Sequence, residues 1–156
     1  MNMSVGELNG KSDCGTRAER QQIARQVKAA STSFYGAMRM LPEAKREAIF
    51  AVYAFCRAVD DIADDEGASA AARIGQLDAW RDDIGALFAG RPATLITRAL
   101  AGPVETFGLK QADFLAVIDG MEMDAGGPIV APDMATLDLY CDRVASAVGR
   151  LCVCIF

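Results

Sequence analysis

Asp60, Asp61, Asp64, Asp65 and Glu66 put five carboxylates into seven residues, at the end of a segment that reads as one helix. From Glu43 to Glu66 there is no Gly or Pro, and Ala, Glu, Lys and Arg are frequent; Pro42 suits the first helical position and Gly67 the stop. A helix C-terminus carries partial negative charge, so each carboxylate placed there costs roughly 0.3–1 kcal/mol. A cation must offset that cost, and a hard divalent metal is the natural candidate.

The spacing sharpens this. At about 100° per residue, with Tyr53 set to zero, Arg57 falls at about 40°, Asp60 at about −20° and Asp64 at about 20°. Asp61 lies at the edge of the same stripe, at about 80°, and Asp65 turns away at about 120°. Tyr53, Arg57, Asp60 and Asp64 therefore form one polar line on an otherwise apolar helix. Carboxylates four apart can share Mg²⁺, which takes one or two of them and fills its remaining positions with phosphate oxygens and water. An arginine one turn earlier can hold a phosphate bidentately. That combination predicts a diphosphate handled through metal. The competing reading is a solvated acidic helix end. Asp-x-x-x-Asp alone does not separate the two, because it recurs at Asp78–Asp82 and Asp138–Asp142; the alignment of Tyr, Arg and the Asp pair on one line does.

The elements that must carry this line are helices. Residues 1–16 are polar and Gly-rich and read as a flexible lead, with 17–156 as part of a single domain. Helical pattern runs from Arg17 to about Ala30, breaks at Ser31-Thr-Ser33 and resumes through Leu41. After the acidic-ended helix, Ala70–Ala89 is a further one, with Trp80 and Leu87 on its apolar side. Pro92–Leu100 and Val104–Phe107 read as short pieces split by Gly102-Pro103. Gln111–Met123 is amphipathic, and a last helix starts at Thr136 and continues to Phe156. Strand-type alternation is hardly present, so the class is all-α.

Composition sets bounds on function. The chain has 156 residues, enough for a core, with 52% hydrophobic and 24% charged residues and a net charge of −5. Without a basic cluster, nucleic acid is excluded as a partner. The absence of histidine removes Ser-His-Asp and Cys-His catalysis. Five cysteines, Cys14, Cys56, Cys141, Cys152 and Cys154, form no Cys-x-x-Cys pair and read as buried thiols. No apolar signal core or membrane-length run occurs, so the reading is a cytoplasmic protein. Leu151-Cys-Val-Cys-Ile-Phe156 stops inside an apolar run without a cap, which reads as the interior of a longer protein.

Four stretches together resemble a known family: Ser31-Thr-Ser-Phe-Tyr35, Met40-Leu-Pro42, Ala51-Val-Tyr-Ala-Phe-Cys-Arg-Ala-Val-Asp-Asp-Ile-Ala-Asp64 and Tyr140-Cys-Asp-Arg-Val-Ala-Ser-Ala-Val-Gly149. In order and approximate spacing they are similar to the head-to-head trans-isoprenyl diphosphate synthases, the squalene and phytoene synthases. The lettering looks most like the branch that makes presqualene diphosphate for hopanoids, with phytoene synthase second. The resemblance implies an isoprenoid-synthase helical bundle, here its first half, and condensation of two farnesyl diphosphates to presqualene diphosphate with Mg²⁺. It implies that Asp60, Asp61 and Asp64 hold the metal, and that Arg57 and Tyr53 bind or orient the leaving diphosphate. Ser31 and Ser33 would donate to phosphate. Tyr140 would stand near the carbocation as proton acceptor or stabiliser. Val144, Ala145, Val148 and Gly149 would line the prenyl tunnel, with Phe34 walling it. A peripheral membrane contact for releasing an oily product is compatible with this, and the oligomeric state is open.

Each residue also has a plainer reading. Ser31 and Ser33 can simply cap a helix, Tyr140 can be a core tyrosine, the small residues from Ala145 to Gly149 can permit close packing, and Arg57 can be an i,i+4 partner of Asp61. The alternatives for the whole chain are a phytoene synthase acting on geranylgeranyl diphosphate, or a non-catalytic helical fragment that binds prenyl diphosphate. The family's second aspartate-rich motif is missing from this sequence, so the expectation is a chain inactive by itself.

Overall fold

A computed structural model describes residues 15–30, 32–127 and 130–156. Among these, every regular element is helical: α1 (Arg17–Ala29), α2 (Tyr35–Arg39), α3 (Glu43–Ala63), α4 (Ala70–Phe88), α5 (Leu95–Phe107), α6 (Gln111–Ala125), α7 (Met134–Cys141), a π-helical turn (Asp142–Ser146) and α8 (Ala147–Ile155).

α3 is the central element. It packs against α1, α2, α4, α5, α6 and α8. A helix so surrounded must be apolar on more than one side, and the five consecutive residues Ala48-Ile-Phe-Ala-Val52 are all buried, with Ala54, Phe55, Val59 and Ala63 further along. Phe55 anchors an aromatic cluster, edge-on to Trp80 of α4 at 5.5 Å and to Phe114 of α6 at 5.1 Å between ring centroids. The α6 helix lies against α3, α4, α8 and the π turn. Its Gly120 permits the last contact, since a Cβ there would stand 2.9 Å from Val144 Cγ1 and 3.2 Å from the Arg143 carbonyl carbon.

Four expectations change. The acidic helix ends at Ala63, a turn before Glu66: the Asp64 N–H bonds to the Asp60 carbonyl, and Asp65 Oδ1 accepts from the Gly67 N–H at 3.0 Å. A side chain that offers the backbone a turn competes with helix propagation. Gly102-Pro103 does not divide α5, which is continuous with Pro103 inside it. Gly102 lacks the Cβ that normally keeps the residue before proline out of the helical region, and Ala99, Leu100 and Ala101 are buried around it. The last helix is not uniform, because the π turn interrupts it at Asp142–Ser146. Of the lead, residues 1–14 lie outside the described residues, but Gly15 is buried, with its N–H bonded to the Arg98 carbonyl at 2.9 Å, and Thr16 caps α1.

The thiols also depart from expectation. Cys56 and Cys152 are half-buried, whereas Cys141 and Cys154 are exposed, and all four are free; Cys14 lies outside the described residues. Among the described residues no helix is long and apolar enough to cross a membrane.

Candidate active site

The polar line on α3 forms as an ion-paired cluster. Arg57 Nη1 lies 2.8 Å from Asp60 Oδ2, and Arg57 Nη2 lies 2.5 Å from Asp61 Oδ1. The plain i,i+4 partnership of Arg57 with Asp61 thus exists alongside the i,i+3 bond to Asp60. All three side chains are about half exposed, and pairs of that kind contribute only ~0–1 kcal/mol. One guanidinium does not balance the site. The Asp60 carboxyl is pushed above its ordinary range, first by burial and then by Asp64, with Asp61 and Asp124 adding to the repulsion and Arg57 opposing it.

Asp124 at the end of α6 is the carboxylate that the sequence reading missed. It faces Asp60 and also Tyr140, whose phenol is held above its usual range by burial, by hydrogen bonding to Asp124 and by the Asp124 charge. Three elements far apart in sequence, α3, α6 and α7, therefore bring Asp60, Asp124 and Tyr140 into one electrostatic neighbourhood. A signal for Asp124 existed. Val117, Met121 and Asp124 follow i, i+4, i+7 spacing, and the first two line a cavity of about 210 Å³ with Tyr53, Cys56, Arg57, Asp60, Val144 and Val148.

That smaller cavity, of mixed lining, adjoins a larger apolar one of about 600 Å³, sharing Tyr53, Cys56 and Val148 with it. The larger wall includes Phe34, Met38, Leu41, Ile49, Val52 and Cys152. The volume is within the ~300–1,000 Å³ usual for small-molecule sites. Burial, with Cys152 and Asp60 nearby, pushes the Cys56 thiol up to about 12, so Cys56 serves as an inert wall and not as a nucleophile.

Of the residues singled out from sequence, Tyr53, Arg57, Asp60, Val144 and Val148 converge on the smaller cavity, and Phe34 borders the apolar one. Asp61 and Asp64 are exposed beside them, as are Ala145 and Gly149, which line neither cavity. Ser33 is exposed and does not cap α2, whose N-cap is Phe34; Ser31 lies outside the described residues. Among the described residues no three Asp, Glu or Cys side chains gather into a ready metal-binding group. The donor set nevertheless suits magnesium: it is all oxygen, carries more negative charge than Arg57 neutralises, and needs to supply only one or two ligands when phosphate supplies the others.

The chain is similar to known proteins. Residues 27–156 match the family model described as squalene/phytoene synthase. The presqualene diphosphate synthase of Zymomonas mobilis is 62% identical over 82% of this chain and 44% of its own length. That of Rhodopseudomonas palustris is 56% identical over 87% of this chain and 48% of its own. A 15-cis-phytoene synthase of Synechocystis sp. is more distant, 38% identical over 88% of this chain and 41% of its own. Among solved structures, the squalene synthase HpnC from Alicyclobacillus acidocaldarius superposes with a TM-score of 0.77 at 29% identity, covering 90% of this chain and 52% of that one. The chain thus spans about half the length of the curated relatives it matches.

Proposed function

Because the chain belongs to the squalene/phytoene synthase family, we propose that it carries the diphosphate-binding half of a presqualene diphosphate synthase site, acting on farnesyl diphosphate. The observation that supports this most directly is the junction of two unlike cavities: an apolar one of about 600 Å³ opening past Tyr53 and Val148 onto Arg57 and Asp60. A prenyl diphosphate has the same division between an oily chain and a charged head.

Asp60, Asp61 and Asp64 would hold Mg²⁺, which when bound neutralises charge on the leaving diphosphate. Arg57 exchanges its bonds to Asp60 and Asp61 for bidentate bonds to phosphate oxygens, and Tyr53 orients the same group. The C1–O bond of one farnesyl diphosphate breaks, and diphosphate departs with the electron pair. The double bond of the second farnesyl diphosphate adds to the allylic cation, and loss of one proton closes the cyclopropane, retaining the second diphosphate. Tyr140, whose hydroxyl is directed to Asp124, turns oxygen lone pairs toward the cation and can take that proton while passing its own to the Asp124 carboxylate. Phe34, Val144 and Val148 keep water from quenching the cation. Ser31 and Ser33 would join the diphosphate contacts, and Ala145 and Gly149 the tunnel, only in an arrangement beyond the one described.

A chimera tests this: the matched half of the Zymomonas mobilis relative is replaced by this chain and incubated with labelled farnesyl diphosphate and Mg²⁺. Presqualene diphosphate is the expected product. Turnover of geranylgeranyl diphosphate in its place would move the assignment to phytoene synthase, and no turnover of either would overturn the enzymatic reading.

A further inference from the structure

Two helices meet the acidic site by their C-termini, and both break the same rule. The α3 helix ends in Asp60, Asp61 and the capping Asp64; α6 ends in Glu122 and Asp124; neither has a basic residue in its last turn. Each end places carboxylates where the helix dipole is already negative. Each also leaves terminal carbonyls without a helical partner. Those of Ala63 and Ala125 belong to buried residues, so water is a poor substitute.

One side chain serves both. Arg73 of α4 donates from Nη1 to the Ala63 carbonyl at 3.1 Å and from Nη2 to the Ala125 carbonyl at 3.0 Å. Ala63 is the last residue of α3 and Ala125 the last of α6. Arg73 itself stands in the first turn and a half of α4, the positive end of its own helix, where a cation is locally unfavourable. Its position is understandable only through its two partners. The rigid fork of the guanidinium fixes their mutual placement, which a single ammonium cannot do.

We propose that Arg73 is the positioning residue of the acidic site: by tying the ends of α3 and α6 together it sets the Asp60–Asp64 carboxylates against Asp124 and Tyr140. Asp60 lies three residues before one clamped carbonyl and Asp124 one residue before the other. This rests on the diphosphate-binding reading for its consequence, though not for its geometry.

The test compares Arg73→Met with Arg98→Met, a control that also removes an arginine bonded to a backbone carbonyl and to another helix, Ala93 and Glu19 in this case. Binding of inorganic pyrophosphate in the presence of Mg²⁺ is measured by calorimetry, and hydrogen exchange is followed by mass spectrometry. Arg73→Met is expected to weaken Mg²⁺-dependent pyrophosphate binding by roughly 10–100-fold, the range for residues that orient metal ligands, and to speed exchange in segments 60–64 and 122–126 together. Arg98→Met is expected to leave both unchanged. Should Arg73→Met fail to fold, Arg73→Lys, which keeps the charge but reaches one carbonyl, is expected to loosen one of the two segments and weaken binding to an intermediate degree. Unaltered pyrophosphate binding in a folded Arg73 variant would overturn the proposal. If the parent chain itself binds no pyrophosphate with Mg²⁺, the diphosphate reading fails separately. Exchange then decides the clamp: joint acceleration confined to the two segments supports it, and uniform or absent acceleration overturns it.

Discussion

The α1–α5 junction and the α3–α6 ends are built from the same kinds of residue under opposite rules. At the junction every local preference agrees. Thr16 caps α1, accepting from the Glu19 N–H at 3.3 Å while the Glu19 carboxylate accepts from the Thr16 N–H at 2.6 Å, and Glu19 stands near the positive end of its helix. Its other oxygen takes Arg98 Nε of α5 at 2.6 Å. Thr94 and Thr97 form a matching box at the start of α5, and Gly108, at φ 65°, stops that helix in the left-handed conformation. At the α3–α6 ends carboxylates crowd the negative poles, with Arg57 from α3 itself on Asp60 and Asp61, and two arginines borrowed from α4, Arg81 on Glu122 and Arg73 on the terminal carbonyls. Where local rules agree, the fold is being made; where they are broken together, the segment is the place to look for a functional site.

The sharpest way to break that contrast is Asp60→Asn. In the chimera, loss of a carboxylate proposed to hold metal is expected to lower turnover by at least ~100-fold, beyond the 10–100-fold typical of outer residues, while thermal unfolding at pH 7 shows no loss of stability. An active variant would remove Asp60 from the chemistry; an unfolded one would make the acidic cluster structural and end the comparison.

The two regions were also unequally legible. The line of Tyr53, Arg57, Asp60 and Asp64 follows from the helical period alone, because α3 is one uninterrupted element and its angles are local. The caps at Thr16 and Ser69 are local too, yet the sequence reading left Thr16 in the lead and did not single out Ser69. Asp124 and Arg73 were not visible in this way. Asp124 matters only because α6 ends beside α3, and Arg73 reaches a carbonyl 52 positions away in sequence; each is a tertiary fact attached to an ordinary surface-type residue. Pro103 inside α5 and the π turn at Asp142–Ser146 were missed for a related reason. Burial of Ala99–Ala101 and the close approach of Gly120 to Val144 override what local preference predicts. Ala145 and Gly149 are exposed in this chain and line neither cavity, so their place in a tunnel rests on the lettering alone.

A smaller effect is expected at the consistent end. Thr16→Ala removes one half of a capping box and should cost about 1 kcal/mol, or roughly 2–4 °C in Tm for a chain of this size. Pyrophosphate binding with Mg²⁺ should not change. A Thr16→Ala variant that loses binding would show that the two regions are energetically one, and the contrast between them would fall.

The finest distinction is in the sign of the pH dependence. Hydrogen bonds from Thr16 and Arg98 hold the Glu19 carboxyl below its ordinary value. Its stabilisation is therefore complete above the unfolded-state pKa and is lost as pH falls through the lower folded one. Asp60 is shifted the other way, by burial and by Asp64. Below the ordinary carboxylate range it is protonated in both states and contributes nothing; as pH rises from that range through its raised folded pKa, the folded state loses stability, and the penalty persists above. Urea unfolding of Glu19→Gln and Asp60→Asn against the parent, from pH 3 to pH 7, should give difference curves that start near zero and diverge, Glu19→Gln downward and Asp60→Asn upward. Saturating Mg²⁺ should remove the advantage of Asp60→Asn at pH 7, since a cation that binds the parent's carboxylates stabilises only the parent. If both curves bend the same way, the acid ends of α3 and α6 obey the same electrostatics as the rest of the fold, and the charge excess at Asp60 is not the mark of a binding site.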